Sequence, residues 1–159
     1  MDEIEYRLAC DSDLEVLTEL WWDMQSSHDT YSQRYYKNIG PKKCKDLCHN
    51  YFKDLLRKEN CIFYVAASAG TPVGMILAHF RTRPPVYEVS QNVEVEVAVV
   101  NQAYRGKGIF RRLLATIEEK AKLAGVDMVE ISVDHDNSAR LAYEKTGFFL
   151  RQDKMIKWL

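Results

Sequence analysis

Hydrophobic and polar positions follow distinct periods along the first part of the chain, and these periods predict its elements. Residues 4–8 alternate between apolar and polar side chains, which is typical of a half-buried strand. Apolar residues then recur at helical spacing, which predicts a first helix that ends at about Ser26. Ser12 and Glu15 have the spacing of a capping box at the start of that helix.

A polar segment rich in aromatic rings, residues 27–40, separates the first helix from a second one predicted at 41–60. Pro41 suits the opening position of a helix, and Leu47, Tyr51 and Leu55 would share one face. Rings in such a segment can form a surface lid, or they can line a substrate pocket with large contact areas. Both interpretations stay open for the aromatic residues of this region, which are Trp22, His28, Tyr31, Tyr35 and Tyr36.

The rest of the chain alternates apolar runs with helical patterns. The apolar runs at 61–67 and 73–80 flank a turn-rich connection and predict a hairpin. Two adjacent prolines keep the loop at 81–88 out of any central strand. The remaining predicted elements are a long central strand at 92–100, a helix at 108–124, a strand at 128–133, a short helix at 139–145 and a final strand at 148–158. This order predicts an α/β (α+β) fold in which helices cover both faces of a mixed, mostly antiparallel central sheet.

Length, composition and charge limit the kind of protein that this chain can be. Its 159 residues fit one domain, 1–159, and 47% hydrophobic with 28% charged residues is an ordinary globular composition. A formal net charge of −1 gives no electrostatic reason to expect a nucleic-acid partner. We expect no membrane span and a cytoplasmic location, because no apolar run is long enough and the start of the chain is acidic.

The four cysteines give no paired framework for disulfides. Cys44 and Cys48 are four residues apart and are followed by His49, but no second pair of ligands stands at metal-site spacing. We therefore expect reduced thiols and no metal.

A glycine-containing turn stands between the central strand and the helix that follows it. Gly106 and Gly108 can adopt backbone angles that other residues avoid, and they let a ligand approach the main chain. The first amides of a helix have no intrahelical partner and carry partial positive charge, so they suit an anion such as phosphate. The cations around this helix start oppose its dipole, and a bound anion would remove the conflict; they are Arg105, Lys107, Arg111 and Arg112.

The central strand reads Val-Glu-Val-Glu-Val-Ala-Val-Val from Val93 to Val100. Alternation predicts that its odd-numbered valines share one face and that Glu94 and Glu96 share the other, about 7 Å apart. If that face is open to water, the two glutamates are ordinary solvated residues. If the sheet is covered on both sides, they line a wet cleft, where either one is a candidate general base. The sequence does not distinguish them.

The central strand is followed by Tyr104-Arg-Gly-Lys-Gly-Ile and a helix, and the next strand is followed by Asn137-Ser-Ala-Arg-Leu-Ala-Tyr-Glu-Lys-Thr-Gly-Phe. Together these segments resemble the GNAT superfamily of acetyl-CoA-dependent N-acetyltransferases. The resemblance covers residues 93–148, whereas the N-terminal half agrees in element order only. Two positions depart from the common pattern. Ala103 stands where Gln or Arg is frequent, and Phe110 replaces a small residue.

The resemblance implies a site for acetyl-CoA. The backbone of Ala98, Val99 and Val100 would pair with the pantetheine arm, and Asn137 would contact the same arm. Tyr143 would protonate the leaving thiolate, and Glu94 or Glu96 would remove a proton from the amine. The pyrophosphate would be held by the turn and helix start, namely Arg105, Gly106, Lys107, Gly108, Ile109, Phe110 and Arg111.

The expected activity is direct transfer of an acetyl group to a primary amine, with a small cationic amine favoured over a protein N-terminus or lysine. Acceptor contacts would come from Trp22, His28, Tyr31 and Tyr35. An alternative is a non-enzymatic acyl-CoA-binding module that regulates a partner. A Walker-type nucleotide loop is excluded because its Gly-x-x-x-x-Gly-Lys-Ser/Thr spacing is absent. The C-terminal strand could pair between the subunits of a homodimer.

Overall fold

Five strands form one mixed sheet in the order β1-β2-β3-β4-β5 in the computed structural model, which describes residues 3–159. The strands are β1 (Ile4–Leu8), β2 (Cys61–Ser68), β3 (Thr71–Thr82), β4 (Gln91–Val100) and β5 (Val129–Ile131). The helices are α1 (Leu14–Ser27), α2 (Pro41–Leu55), α3 (Ile109–Leu123) and α4 (Ala139–Glu144). Among the described residues, no helix is long and apolar enough to span a membrane.

Neighbouring strands run antiparallel from β1 to β4, and only β4 and β5 are parallel. Leu17, Phe52 and Leu77 belong to a buried cluster that α1 and α2 cover on one face. Ile76 and Ile117 belong to a second cluster, which α3 covers on the other face. The predicted mixed, mostly antiparallel sheet with helices on both faces is therefore confirmed.

The predicted final strand at 148–158 is wrong. Residues 148–159 adopt no regular secondary structure, and Phe149 and Met155 are 79% and 93% exposed. The strand that could have received this segment, β5, is only three residues long. An apolar sequence pattern alone does not form a strand when so short an edge is offered for pairing.

A β-bulge at Glu96 divides the central strand. Leu77 pairs with Val97, but the next residue of β3, Ala78, pairs with Val95, so Glu96 has no residue opposite. A bulge inserts one residue and shifts the alternation of side chains. Val93 and Val95 therefore enter the α3-side cluster, whereas Val97 and Val99 enter the α1–α2 side. The prediction that the odd-numbered valines share one face is wrong for this reason.

The helix start and the second helix also differ from their patterns. The predicted capping box of Ser12 and Glu15 is replaced by one on the short 3-10 turn Asp11–Asp13 before α1, in which Asp13 Oδ2 accepts from the Cys10 amide at 3.0 Å. Helix α2 ends at Leu55, short of the predicted Asn60. Its buried side chains are Cys48, Phe52 and Leu55, whereas Leu47 and Tyr51 are exposed. The buried face is thus rotated by about one residue, and Tyr51 lies at its edge.

Candidate active site

The turn between β4 and α3 has the backbone geometry that its glycines predict. Gly106 and Gly108 have φ angles of 75° and 76°, in the left-handed region that favours glycine. A Cβ added at either position would meet nothing within 4 Å. The glycines are therefore needed for the path of the backbone, not because neighbouring atoms crowd them.

This path leaves a row of backbone amides at the start of α3 without acceptors. The Arg105 amide donates to Gln102 and the Arg112 amide donates to Gly108 at 3.1 Å. Between them, the six amides of residues 106–111 have no hydrogen-bond acceptor within the part of the chain described. Free amides at a helix N-terminus favour an anion. The basic side chains fold back on the turn, because Lys107 Nζ donates to the Ala103 carbonyl at 3.1 Å.

The last residues of β4 present an open edge beside this turn. Parallel pairing with β5 stops at Val95, before the bulge. The Asn101 amide donates to the Val73 carbonyl at 2.8 Å. In an antiparallel ladder every second residue directs its N–H and C=O groups to the same neighbour, so those of Val99 also face β3. The backbone N–H and C=O groups of Ala98 and Val100 then face the open side. On that side Arg105 Nε donates a hydrogen bond to the Val100 carbonyl at 3.0 Å. An extended ligand with amide groups can add to such an edge like a strand.

Tyr143 lies on α4 across from the start of α3. Its ring centroid is 5.3 Å from that of Phe110 and 6.2 Å from that of Phe148. Burial, with a smaller contribution from nearby Tyr31, raises the pKa of Tyr143. Its hydroxyl therefore stays protonated at neutral pH and can act as a proton donor.

Asn137 has a local structural role at the start of α4. Its Oδ1 accepts from the Ala139 amide at 2.9 Å, which ties down the turn before the helix. This bond leaves the two N–H groups of the side chain to donate elsewhere. The arrangement is compatible with the ligand contact that the resemblance implies for Asn137.

The bulge and its neighbours give the two glutamates different surroundings. Glu94 Oε2 accepts from Arg81 Nε at 2.8 Å, and both side chains are nearly half exposed. Glu96 Oε2 accepts from the Tyr51 hydroxyl at 2.8 Å and lies 2.5 Å from Nε2 of buried His79. Glu94 is thus neutralised by a surface cation, whereas Glu96 belongs to a network that reaches into the sheet.

His79 and Tyr51 were missed by the sequence analysis. His79 stands in an otherwise apolar strand, and Tyr51 stands on a helix face that was assigned to the core. The sequence marks them only as polar residues, one in the apolar run that forms β3 and one on the face of α2 that was predicted to be buried. Their meeting at Glu96 depends on the β3–β4 register and on the bulge, neither of which the alternation indicates.

Most of the predicted aromatic residues of the segment after α1 form one cluster. The ring of His28 lies 5.5 Å from Tyr31 and 5.0 Å from Tyr36, and Tyr35 packs edge-on to Tyr36 at 4.8 Å. Trp22 lies elsewhere, stacked at 6.3 Å on its neighbour Trp21.

The cluster is tied to the loop after β5 by a hydrogen bond of 2.6 Å from the Tyr36 hydroxyl to Asp134 Oδ2. This bond lowers the pKa of Asp134, whereas burial lowers the pKa of His28 against the opposing charges of Asp134 and Asp29. His28 is therefore held as a neutral ring, and its Nδ1 is buried without a hydrogen-bond partner in residues 3–159. Within the same described range, no three His, Cys, Asp or Glu side chains form a group that could hold a metal ion.

A row of free amides at a helix start, beside an open strand edge, is a type of site that suits an extended ligand with a phosphate at one end. The sequence matches the acetyltransferase (GNAT) family over residues 14–148, and the chain belongs to that family. An uncharacterized N-acetyltransferase of Methanocaldococcus jannaschii is 27% identical over 147 residues. The match covers 92% of this chain and 61% of that protein, so the chain spans less than two thirds of this relative.

Solved structures share the fold at lower identity. A predicted acetyltransferase from Clostridium acetobutylicum, crystallised with acetyl-CoA, is 18% identical with a TM-score of 0.75, over 99% of this chain and 96% of that one. The aminoglycoside N-acetyltransferase AAC(6')-Iy, in complex with the bisubstrate analogue CoA-S-monomethyl-acetylneamine, is 15% identical with a TM-score of 0.77. That match covers 99% of this chain and 98% of that one.

Proposed function

We propose that this protein transfers the acetyl group of acetyl-CoA directly to a primary amine. The observation that carries the proposal is the continuity between the open edge of β4 and the six free amides at the start of α3. The amides of a pantetheine arm need hydrogen-bond partners, which the strand edge offers, and a pyrophosphate needs hydrogen-bond donors, which the helix start offers. The strand edge and the helix start lie next to each other in the chain. Acetyl-CoA supplies an activated acetyl group when it is bound.

The residues of this chain divide the binding between them. The turn amides of residues 105–111 would hold the pyrophosphate through helix-start charge. The backbone groups of Ala98 and the amide of Val100 would align the pantetheine arm, because the Val100 carbonyl already accepts from Arg105. Asn137 would contact the same arm. Val99 would not bind the arm itself, because its own backbone groups are directed toward β3. It would instead hold Ala98 and Val100 in position.

Proton transfers would be carried out by Tyr143 and by a carboxylate on β4. In the proposed reaction the acceptor nitrogen reacts as a neutral amine, and it bonds to the acetyl carbon while the carbon–sulfur bond breaks. A glutamate takes one proton from the nitrogen, and Tyr143 gives its hydroxyl proton to the sulfur. Exchange with solvent then restores both groups. The surroundings of the glutamates favour Glu96, because Glu94 is already paired with Arg81.

A cationic amine is the acceptor class that we favour. The aromatic cluster of His28, Tyr31 and Tyr35 offers ring faces to a cation, and Asp134 adds a carboxylate beside it. Trp22 would contact the acceptor only from outside this cluster. The aminoglycoside N-acetyltransferase of the same fold binds an analogue of an amine-bearing acceptor, which is consistent with this class.

The test is release of free thiol from acetyl-CoA with a panel of polyamines, aminoglycosides, peptide N-termini and peptide lysines. We expect turnover with at least one small cationic amine. Tyr143→Phe should then lower kcat by about 10²-fold with little change in the KM for acetyl-CoA. Tyr64→Phe is the matched control, because this partly buried ring packs against the α3-side cluster, as does Phe110 beside Tyr143. Tight acetyl-CoA binding without turnover on any amine would instead support a regulatory module.

A further inference from the structure

Three elements meet at one oxygen atom of Glu96. His79 from β3 and Tyr51 from α2 both contact Oε2, at 2.5 Å and 2.8 Å. Glu96 Oε1 receives no hydrogen bond from any residue of the described range 3–159. One oxygen of this carboxylate is therefore held in place, and the other is available to a ligand.

The two partners of Glu96 are anchored to different degrees. His79 is 4% exposed, within the central hairpin strand that the core covers. Tyr51 is 41% exposed at the edge of α2, next to Phe52, which is fully buried. The imidazole thus fixes the carboxylate from inside the sheet, while the phenol fixes it from the helix that lies over it.

We propose that His79 and Tyr51 are positioning residues that aim Glu96 at the acceptor amine. By binding Oε2 together, they stabilise the ionised carboxylate and turn Oε1 toward the cleft, where it takes the proton of the amine. This inference rests on the proposed acetyl transfer. It adds which glutamate is the base, and it assigns two further residues to the reaction.

The β4 bulge explains why Glu96 and not Glu94 occupies this place. As the extra residue of the bulge, Glu96 has no partner on β3 and can lean toward α2. Glu94 lies directly opposite His79 in the register but turns to Arg81 on the exposed side. A bulge re-aims a side chain without changing the rest of the strand, and here the re-aimed side chain is a carboxylate.

The phenol and the thiols around the network stay neutral in the range of an activity assay. Burial, and then the Glu96 hydrogen bond, raises the pKa of Tyr51 to about 12. Burial and the Glu96 charge raise the pKa of Cys48 on α2 to about 12 and that of Cys61 on β2 to about 11. Glu94 and Arg81 also border the network, but they are paired with each other. Tyr51 is therefore a donor throughout, and neither thiol competes for the proton.

The experiment compares the kinetics of variants on the amine that the wild-type protein acetylates. Glu96→Gln should lower kcat by about 10²-fold or more. His79→Leu should lower it by about tenfold, because the carboxylate loses a contact that holds Oε2 in place. His79→Gln keeps an N–H near the Nε2 position and should restore most of the rate. Tyr51→Phe should cost a few-fold, and none of these changes should alter the KM for acetyl-CoA.

Non-additivity separates positioning from mere structure. Adding Tyr51→Phe or His79→Leu to Glu96→Gln should cause no further loss, because both residues act through the same carboxylate. His49→Leu, on the same helix as Tyr51 but outside the network, is the control and should behave as wild type. If the wild-type protein acetylates no amine, the proposed function fails. If it does, and His79→Leu and Tyr51→Phe keep the wild-type kcat, only this inference fails.

Discussion

Three glycines of α3 and its flanks share one conformation but stand in different chemical settings. Gly106, Gly108 and Gly125 have φ angles of 75°, 76° and 73°. None of them has an atom within 4 Å of an added Cβ, so substitution would strain only the backbone. Gly108 lies among the free amides of the helix start, whereas Gly125 follows the helix end. This pair separates the cost of strain from the cost to ligand binding.

We expect Gly108→Ala and Gly125→Ala each to lower the free energy of unfolding by about 1 kcal/mol, because a left-handed angle costs an L residue about that much. Only Gly108→Ala should also raise the KM for acetyl-CoA, since relief of its strain would move the amides of residues 106–111. Denaturant unfolding and steady-state kinetics check the two effects. An equal rise in KM for both variants would contradict a phosphate role for this turn.

The residue types of the site could be read from the sequence, but their partners could not. Gly106 and Gly108 were predicted because a strand, a turn and a helix follow each other along the chain, and all of that information is local. Glu94 and Glu96 were predicted to share a face, but nothing local distinguished them. Arg81 and His79, which do distinguish them, lie on another strand. Such cross-strand neighbours depend on register, and the sequence alone does not give it.

At the scale of elements, the first strand is tied to the first helix by a buried ion pair. Arg7 donates two hydrogen bonds to Asp13, at 2.7 Å and 2.9 Å, and the aspartate is only 3% exposed. Burial alone would raise the pKa of Asp13, but the bonds from Arg7 and Cys10 outweigh it, and the pKa is lowered. A carboxylate of this kind stabilises the fold above its ordinary pKa of 3.8, and the contribution is lost as the pH falls below that value.

Asp13→Asn should therefore lower the free energy of unfolding at pH 7 by about 2 kcal/mol, the range for hydrogen bonds to a charged group. The difference from the wild-type protein should shrink when unfolding is repeated near pH 3, because Asp13 is then losing its charge as well. Asp11→Asn is the control, since the Asp11–Arg57 pair is mostly exposed and should contribute less than about 0.5 kcal/mol. A difference that stays constant with pH would contradict the ionic origin.

Element types were predictable over most of the chain, and the β4 bulge shows where the pattern stops. The run of valines predicted a regular strand, and the four odd-numbered valines from Val93 to Val99 are indeed buried. Their division between two cores follows from one unpaired residue, Glu96, whose position is set by pairing with β3 and β5. The same bulge ends the β5 pairing and opens the edge that the proposed function requires. The β4 bulge thus organises the site, and the regular alternation of residues along the strand does not predict it.

At the scale of the whole molecule, sequence pattern and structure disagree most at the C-terminus. The run after Gly147 has strand-like apolar content, yet residues 148–159 stay outside the sheet. Side chains of this segment contact the aromatic region, where Lys154 Nζ donates to the Tyr35 hydroxyl at 3.1 Å and Arg34 lies 4.1 Å from the centre of the Trp158 ring. These contacts are polar and exposed, and they leave the apolar side chains in water.

That exposure leads to a prediction about assembly. Phe149, Met155 and Trp158 are 79%, 93% and 49% exposed, a concentration of large apolar side chains that usually marks an interaction surface. The edge of β5 remote from β4 has no strand beside it in residues 3–159, but with three residues it is too short to hold a second copy by strand pairing alone. We therefore expect two copies of the chain to associate through the exposed apolar side chains of this segment.

Light scattering coupled to size-exclusion chromatography should give the mass of a dimer of the 18.5 kDa chain. Replacing Phe149 and Met155 together by Asp should shift it to the monomer mass, because charges would be desolvated in the interface. Leu123→Asp, at an equally exposed apolar position on α3, should leave the dimer intact. A monomer mass for the unaltered chain at high protein concentration would contradict the prediction. The acetyl-CoA site would be unaffected by that outcome, since β4 and the α3 start belong to one copy.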